Sequence, residues 1–316
     1  MSKECFLSSE TEPSSEQHKP SAAPTGDATT AEMILMGTGT SIGVPVVGCN
    51  CHVCKSTNPR NHRLRSGVLV NAPQGEFVID TGPELRLQLL HNGASLVRAA
   101  LFTHAHADHI MGLDDLRIFG FRIEKELLDI GRREAEQAGT EFDEAAFQLS
   151  RPGQIPLYCE RIVEDAIRHT FHYAFSDPSG HSHRFAAPRL CFEQVTPGET
   201  FRILGLDVLP IRLNHGQLPI LGYRIGNVAF CTDVSTIPAE SRELLQGLDT
   251  LVIDALRYKP HPTHLTVDQA VQWANRLQPR RTILTHMSHE LEYDQLQNEL
   301  PDGIEPGYDG LRIRLV

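Results

Sequence analysis

The sequence predicts a single layered α/β domain, and three observations predict it. Short apolar runs, each closed by turn residues, recur from Met33 to Leu284. Helical signatures lie between several of these runs, so strand and helix alternate. His and Asp residues gather where the runs finish, which is where open α/β sheets place their ligands. With 316 residues the chain can bury a sizeable core, and an apolar content of 40% with 24 glycines excludes fibrous and wholly disordered architectures.

The elements follow in order. Residues 1–31 are rich in Ser, Thr, Pro and Glu, with almost no large apolar side chain after Leu7. They cannot bury enough surface to offset ordering entropy and read as a disordered tail, which leaves 32–316 as the domain. Met33–Met36, Val68–Val70, Phe77–Ile79, Ala99–Phe102, Val208–Ile211, Val228–Phe230, Leu251–Ile253 and Thr282–Leu284 are buried strands by length and β-branched content. Pro83 opens a helix over Glu84–His91 that Gly93 stops. Thr266 and Gln269 form a capping box for a second helix, through Ala270, Trp273 and Leu277. The charged, strand-free stretch from about 121 to 149 reads as an inserted helical lobe or lid.

Charge narrows the partners. Lys plus Arg is 29 against 40 for Asp plus Glu, a net charge of -11, which disfavours extended nucleic-acid binding. No apolar run approaches the roughly 18–20 residues that cross a bilayer, and no apolar secretory core opens the chain. Glu4, Glu10, Glu12 and Glu16 argue against a transit peptide, so a cytoplasmic location is expected. Seven cysteines is an odd number, and three of them fall within six residues, which points to metal or free thiols before disulfides.

The chemistry is carried by the 16 histidines. After the strand Ala99–Phe102 the chain reads Thr103-His104-Ala105-His106-Ala107-Asp108-His109. Extended geometry puts His104 and His106 on one face, converging on a point, while the following turn swings Asp108 and His109 toward a neighbouring point. Two adjacent metal sites are implied, against the alternative of a His-rich surface loop. Further ligand types end other strands: His215 after Val208–Leu213, Asp233 after Val228–Thr232, His286 after Thr282–Thr285, with Asp80 and Asp254 closing two more.

This pattern resembles the metallo-β-lactamase-fold hydrolases, over nearly the whole chain from Met36 to His289. The resemblance implies a four-layer αβ/βα sandwich with two divalent metal ions, Zn or Mn, at one edge. By it, His104, His106 and His215 hold one ion, Asp108, His109 and His286 the other, and Asp233 bridges them. Asp80 sits where the superfamily has an Asp that orients the ligand loop.

Cys49, Cys51 and Cys54 form Cys-x-Cys-x2-Cys, well spaced for three thiolates on one structural Zn. His289, three residues past His286, is a candidate fourth ligand, and His52 competes with it. With Gly37-Thr38-Gly39-Thr40-Ser41, Val44-Pro45 and Gly112-Leu113-Asp114-Asp115-Leu116-Arg117, the cluster is similar to the PhnP-type phosphoribosyl 1,2-cyclic phosphate phosphodiesterases.

That likeness implies a phosphodiesterase acting on a small cyclic or diester phosphate by attack of a metal-bridging hydroxide, and it suggests a homodimer. The leaving alkoxide needs a proton that no metal ligand is free to give. His264 in His261-Pro262-Thr263-His264 matches the general acid of related phosphodiesterases, and Asp254 the acidic residue that steadies it. His264, Asp254 and Asp108 are thus the residues assigned to the reaction, with His261 as substitute acid and Arg117 and Arg257 as candidate phosphate contacts. Two alternatives stand beside this one. A tRNA 3' processing-type nuclease of the same fold would want a basic protruding arm, which the sequence does not display. A non-catalytic metal-binding protein of cofactor assembly would have an eroded ligand set, whereas all seven positions hold His or Asp here.

Overall fold

A computed structural model of the chain describes residues 31–150, 153–175 and 187–316, so the expected tail lies, Ala31 apart, outside the described residues. Its strands are β1 Glu32–Gly37, β2 Gly67–Ala72, β3 Gly75–Ile79, β4 Val97–Leu101, β5 Ile155–Cys159, β6 Leu190–Gln194, β7 Phe201–Ile203, β8 Leu206–His215, β9 Leu218–Ile225, β10 Val228–Cys231, β11 Thr250–Asp254, β12 Arg281–Thr285, β13 Ile304–Pro306 and β14 Leu311–Arg314. They form two seven-stranded sheets, ordered β14-β1-β2-β3-β4-β5-β6 and β13-β12-β11-β10-β9-β8-β7.

Each sheet is antiparallel in one half and parallel in the other. β3, β4, β5 and β6 run parallel in the first sheet, and β10 to β13 in the second. β8 is antiparallel to β9 and β9 to β10, so β8 runs the same way as β10. Parallel strands finish at a common edge. The residues that close β3, β4, β8, β10, β11 and β12 are therefore delivered to the ends of the sheets together.

The helices are α1 Leu85–His91, α2 Ala107–Ile110, α3 Arg117–Ala138, α4 Glu144–Ser150, α5 Arg161–Thr170, α6 His172–Phe175, α7 Ala239–Leu244, α8 Val267–Leu277 and α9 Tyr293–Glu299. Three apolar clusters divide the layers. Met33, Leu35, Phe77 and Ile79 of the first sheet meet Val208, Tyr223, Phe230 and Val252 of the second between the sheets. The alternate residues Ile34, Met36 and Val78 face outward onto Leu85 and Leu89 of α1, Phe119 and Ile123 of α3 and Ile167 of α5. On the other side Leu251, Ile253 and Leu284 pack under Ala270, Trp273 and Leu277 of α8 and Leu296 of α9. Strands buried on both faces carry no polar alternation, which is why they read as continuous apolar runs.

The capping box of α8 is formed: Thr266 Oγ1 accepts from Gln269 N at 3.2 Å, and Gln269 Oε1 accepts from Thr266 N at 2.9 Å. The stretch from 121 to 149 divides. The first half of α3 is part of the helical layer over the first sheet, through Phe119, Ile123 and Leu127. Only its later turns and α4 stand clear of that layer, with mostly exposed side chains. Among the described residues no helix is long and apolar enough to cross a membrane.

Candidate metal centre

The ligand-type residues meet at the shared strand-end rim. His104, His106 and His215 bring ring nitrogens within 4.8 Å of one another, and beside them Asp108, His109, Asp233 and His286 bring carboxylate oxygens and ring nitrogens within the same distance. Asp233 also lies within that distance of His215 and His264, so it connects the second group to one histidine of the first. Three of the rim residues have a left-handed backbone that non-glycine residues rarely adopt: Asp80 at φ 64°, Asp233 at φ 58° and His286 at φ 58°. Asp80 and His286 follow directly on β3 and β12, and Asp233 follows β10 after Thr232; the reversal turns each side chain onto the rim, and such strain persists where the surrounding structure over-determines it.

The hydrogen bonds fix which nitrogen each ring presents. Asp80, fully buried, accepts from Thr103 N at 2.8 Å, from the Thr103 hydroxyl at 2.8 Å and from His109 Nδ1 at 2.7 Å. The Thr103 hydroxyl has one proton, spent on Asp80, so at 3.0 Å it can only accept from His104 Nδ1. His215 Nδ1 donates to the Thr263 carbonyl at 2.8 Å. In its neutral form each of these three rings therefore has its lone pair on Nε2. His104 Nε2, His109 Nε2 and both nitrogens of His286 are buried without a hydrogen-bond partner in the protein. Orphaned polar atoms converging beside two carboxylates are the donor set a divalent cation requires.

Electrostatics agree with that reading of the donors. Burial disfavours charge on His109, but Asp233, Asp80 and Asp108 around it hold its pKa well above the usual histidine value. Against burial, the imidazoles of His286 and His109 hold Asp233 well below the carboxylate range. Three carboxylates thus surround one imidazole at the rim.

Cys49, Cys51, Cys54 and His289 form a separate group. Their sulfurs lie 3.3, 3.6 and 3.4 Å from His289 Nδ1. Zinc bonds of about 2.3 Å to sulfur and about 2.0–2.1 Å to nitrogen at the tetrahedral angle separate S and N by about 3.5 Å, so the cage fits zinc. The Cys54 N–H, 3.4 Å from Cys51 Sγ, is the chief cause that lowers the Cys51 thiol to about 6, while burial raises Cys54 to about 11. His52 is exposed and stands outside this group.

His264 lies between the two halves of the rim. Its ring stacks on His286 with centroids 4.8 Å apart and meets His215 edge-on at 4.6 Å. Its Nδ1 is 3.3 Å from Asp254 Oδ1, and Asp254 Oδ2 accepts from Leu265 N at 2.8 Å. Burial pushes Asp254 well above the carboxylate range and His264 below the usual histidine value. Arg117 pairs with Asp114 at 3.8 Å and Arg257 with Glu290 at 3.7 Å, so both guanidiniums have partners in the protein.

The sequence matches the family described as Beta-lactamase superfamily domain over residues 141–287 and that described as Metallo-beta-lactamase superfamily over 63–120. The crystal structure of a new diphosphatase from the PhnP family superposes with a TM-score of 0.74 at 36% identity, covering 90% of this chain and 98% of that one. The chain belongs to the metallo-β-lactamase superfamily and, within it, to the PhnP family. An octanoyltransferase of Porphyromonas gingivalis is 37% identical over 282 residues, 88% of this chain and 50% of that protein, so the chain spans about half the length of that relative. A ribonuclease Z of Methanothermobacter thermautotrophicus is 24% identical over 258 residues, 74% of this chain and 84% of that protein.

Three residues of this PhnP-family chain that sequence reasoning passes over complete the rim. Thr103 connects Asp80 to His104, Thr263 orients His215, and the Thr232 hydroxyl donates to Asp233 Oδ2 at 2.6 Å. A signal for two of them was present, since Thr immediately precedes His104 and Asp233 at the strand ends.

Proposed function

We propose that this superfamily hydrolase cleaves a small cyclic or open phosphodiester, with His104, His106 and His215 on one divalent cation, Asp108, His109 and His286 on a second, Asp233 between them, and a structural zinc on Cys49, Cys51, Cys54 and His289. When bound, such a cation pair lowers the pKa of water toward neutrality and neutralises charge developing on phosphoryl oxygens. The chain's own residues supply the rest. Thr103, Asp80 and Thr263 hold the imidazoles in one tautomer. The observation that carries the reading is the His264–Asp254 pair, set against His286 and His215 but outside the seven ligands. Asp254 orients His264 through Nδ1, so that the ring in its protonated form gives its Nε2 proton to the departing alkoxide and is left as a neutral imidazole with Nδ1–H on Asp254.

Leaving-group chemistry separates this from its neighbours. The PhnP-family relative is named a diphosphatase. A phosphate leaving from a diphosphate departs as a stabilised anion, whereas an alkoxide needs an acid. The net charge of -11 favours a small substrate over tRNA. The test is turnover of alkyl phosphodiesters, activated aryl phosphodiesters and diphosphate diesters by metal-loaded wild type and His264→Ala. We expect a loss of about 10²–10⁴-fold on alkyl esters and little on aryl esters. An equal loss on both would remove His264 as the acid. Turnover confined to diphosphates would overturn the diester.

A further inference from the structure

His261 belongs neither to the ligand set nor to the general-acid pair. It is half-buried on the same rim, its ring centroid 5.1 Å from that of His264. Its Nδ1 lies 3.4 Å from the Thr263 N–H and 3.2 Å from the Thr263 hydroxyl. A backbone N–H can only donate, so Nδ1 is the lone-pair nitrogen and the ring proton of the neutral imidazole sits on Nε2. Among the described residues Nε2 has no hydrogen-bond partner.

The loop that carries His261 is braced at both ends. Arg257 Nε and Nη2 donate to the carbonyls of Lys259 and Pro260, each at 3.1 Å. Thr263 is held by the bond from His215 Nδ1 to its carbonyl at 2.8 Å. It also fills the space over Gly216, where an added Cβ would come within 2.9 Å of Thr263 Cγ2. Burial, together with charge on His264, Arg257, His215 and His286, lowers the His261 pKa below the usual histidine value.

A fixed N–H donor with no internal acceptor, next to the residue that would face the leaving group, has an acceptor brought to it by the substrate. We propose that His261 is a substrate-binding residue, whose Nε2–H donates to a non-bridging phosphoryl oxygen of the anion seated at the rim. The proposal deepens the phosphate chemistry of the function above and rests on it for the class of ligand.

Inorganic phosphate is the probe, titrated calorimetrically into the metal-loaded full chain. Wild type binds it, and His261→Ala binds roughly ten- to hundred-fold more weakly, the range for one hydrogen bond to a charged group. His261→Asn, which keeps an N–H, recovers part of the loss. Nitrogen-15 resonances of the wild-type ring report Nε2 protonated and Nδ1 bare, a readout that needs no variant to fold. Three results would overturn the inference: no phosphate binding by wild type, an unchanged affinity in His261→Ala, or a proton on Nδ1. Phosphate binding that depends on His261 in a chain that cleaves no phosphodiester supports this inference while refuting the proposed reaction.

Discussion

Thr103 has one proton and two neighbours to serve. Its hydroxyl donates to Asp80 and accepts from His104, so one side chain sets the orientation of two rings, His104 directly and His109 through the shared carboxylate. All four groups are buried, where an unmade bond has no water to replace it. Thr103→Val keeps the shape and removes the hydroxyl; it should weaken binding of the active-site metals about 10–100-fold, measured by chelator competition, while Thr103→Ser stays near wild type. An unchanged affinity in the valine variant would show that packing alone holds His104. At this scale the His and Asp residues that meet at the rim were legible, because such residues at the ends of several strands are rare without a purpose. Thr103 carried only the weak signal of its place before His104, because Thr is ordinary at the end of any strand and its bonds depend on the left-handed turn at Asp80, a residue 23 positions earlier.

Between single residues and the whole fold, the cysteine loop and the segment after β12 are held to each other by more than a metal. Arg63 is 1% exposed and donates to the carbonyls of Ser288 at 3.0 Å and Leu291 at 2.8 Å, on either side of His289. Arg63 also exchanges backbone bonds with Val44, at 2.8 and 2.7 Å, at the start of the loop that carries the cysteines. The guanidinium thus fixes the imidazole and the thiols at one distance. Burial lowers the Arg63 pKa to about 10, which leaves it charged at neutral pH. Arg63→Met strands both carbonyls at about 1–3 kcal/mol each, so we expect a loss of about 3 kcal/mol in urea unfolding together with one zinc fewer per chain in metal analysis. Full zinc content in that variant would mean that the four ligands assemble unaided. The cysteine spacing was readable from the sequence, whereas the choice of His289 over His52 needed the family likeness. Arg63 was invisible, because arginine is an exposed residue unless something three-dimensional encloses it. Strands β5 and β9 were missed for a related reason: Pro156, Pro219 and Gly222 read as turn residues, and only their place in the sheets makes them strand residues.

At the level of the molecule, the metal centre lies on the seam between two sheets. The residues from His104 to His109 follow β4 of the first sheet, while His215, Asp233 and His286 come from the second. Protein bonds also cross this seam: the Tyr223 hydroxyl donates to the Phe102 carbonyl at 2.7 Å, Leu221 N to the Thr103 carbonyl at 3.0 Å, and Met287 N to the Thr38 carbonyl at 2.9 Å. At the rim Asp108 and Asp233 lie 3.2 and 3.3 Å from His109 Nε2, so negative charge from both sheets collects where the cations would sit. Cations that bind only the folded chain stabilise it by mass action, by about 2.7 kcal/mol per site at a hundredfold excess over Kd. At about 2–4 °C per kcal/mol for a domain of this size, one such site should raise the melting temperature by about 5–10 °C, measured by calorimetry before and after chelation. A ligand bound by one sheet would protect that sheet alone. A ligand shared across the seam must be released before either sheet can open, so amide hydrogen exchange should slow on metal loading in β4 and in β12 together. Protection confined to one of the two strands would place the bound metal on one side of the seam and remove it as a tie between the halves.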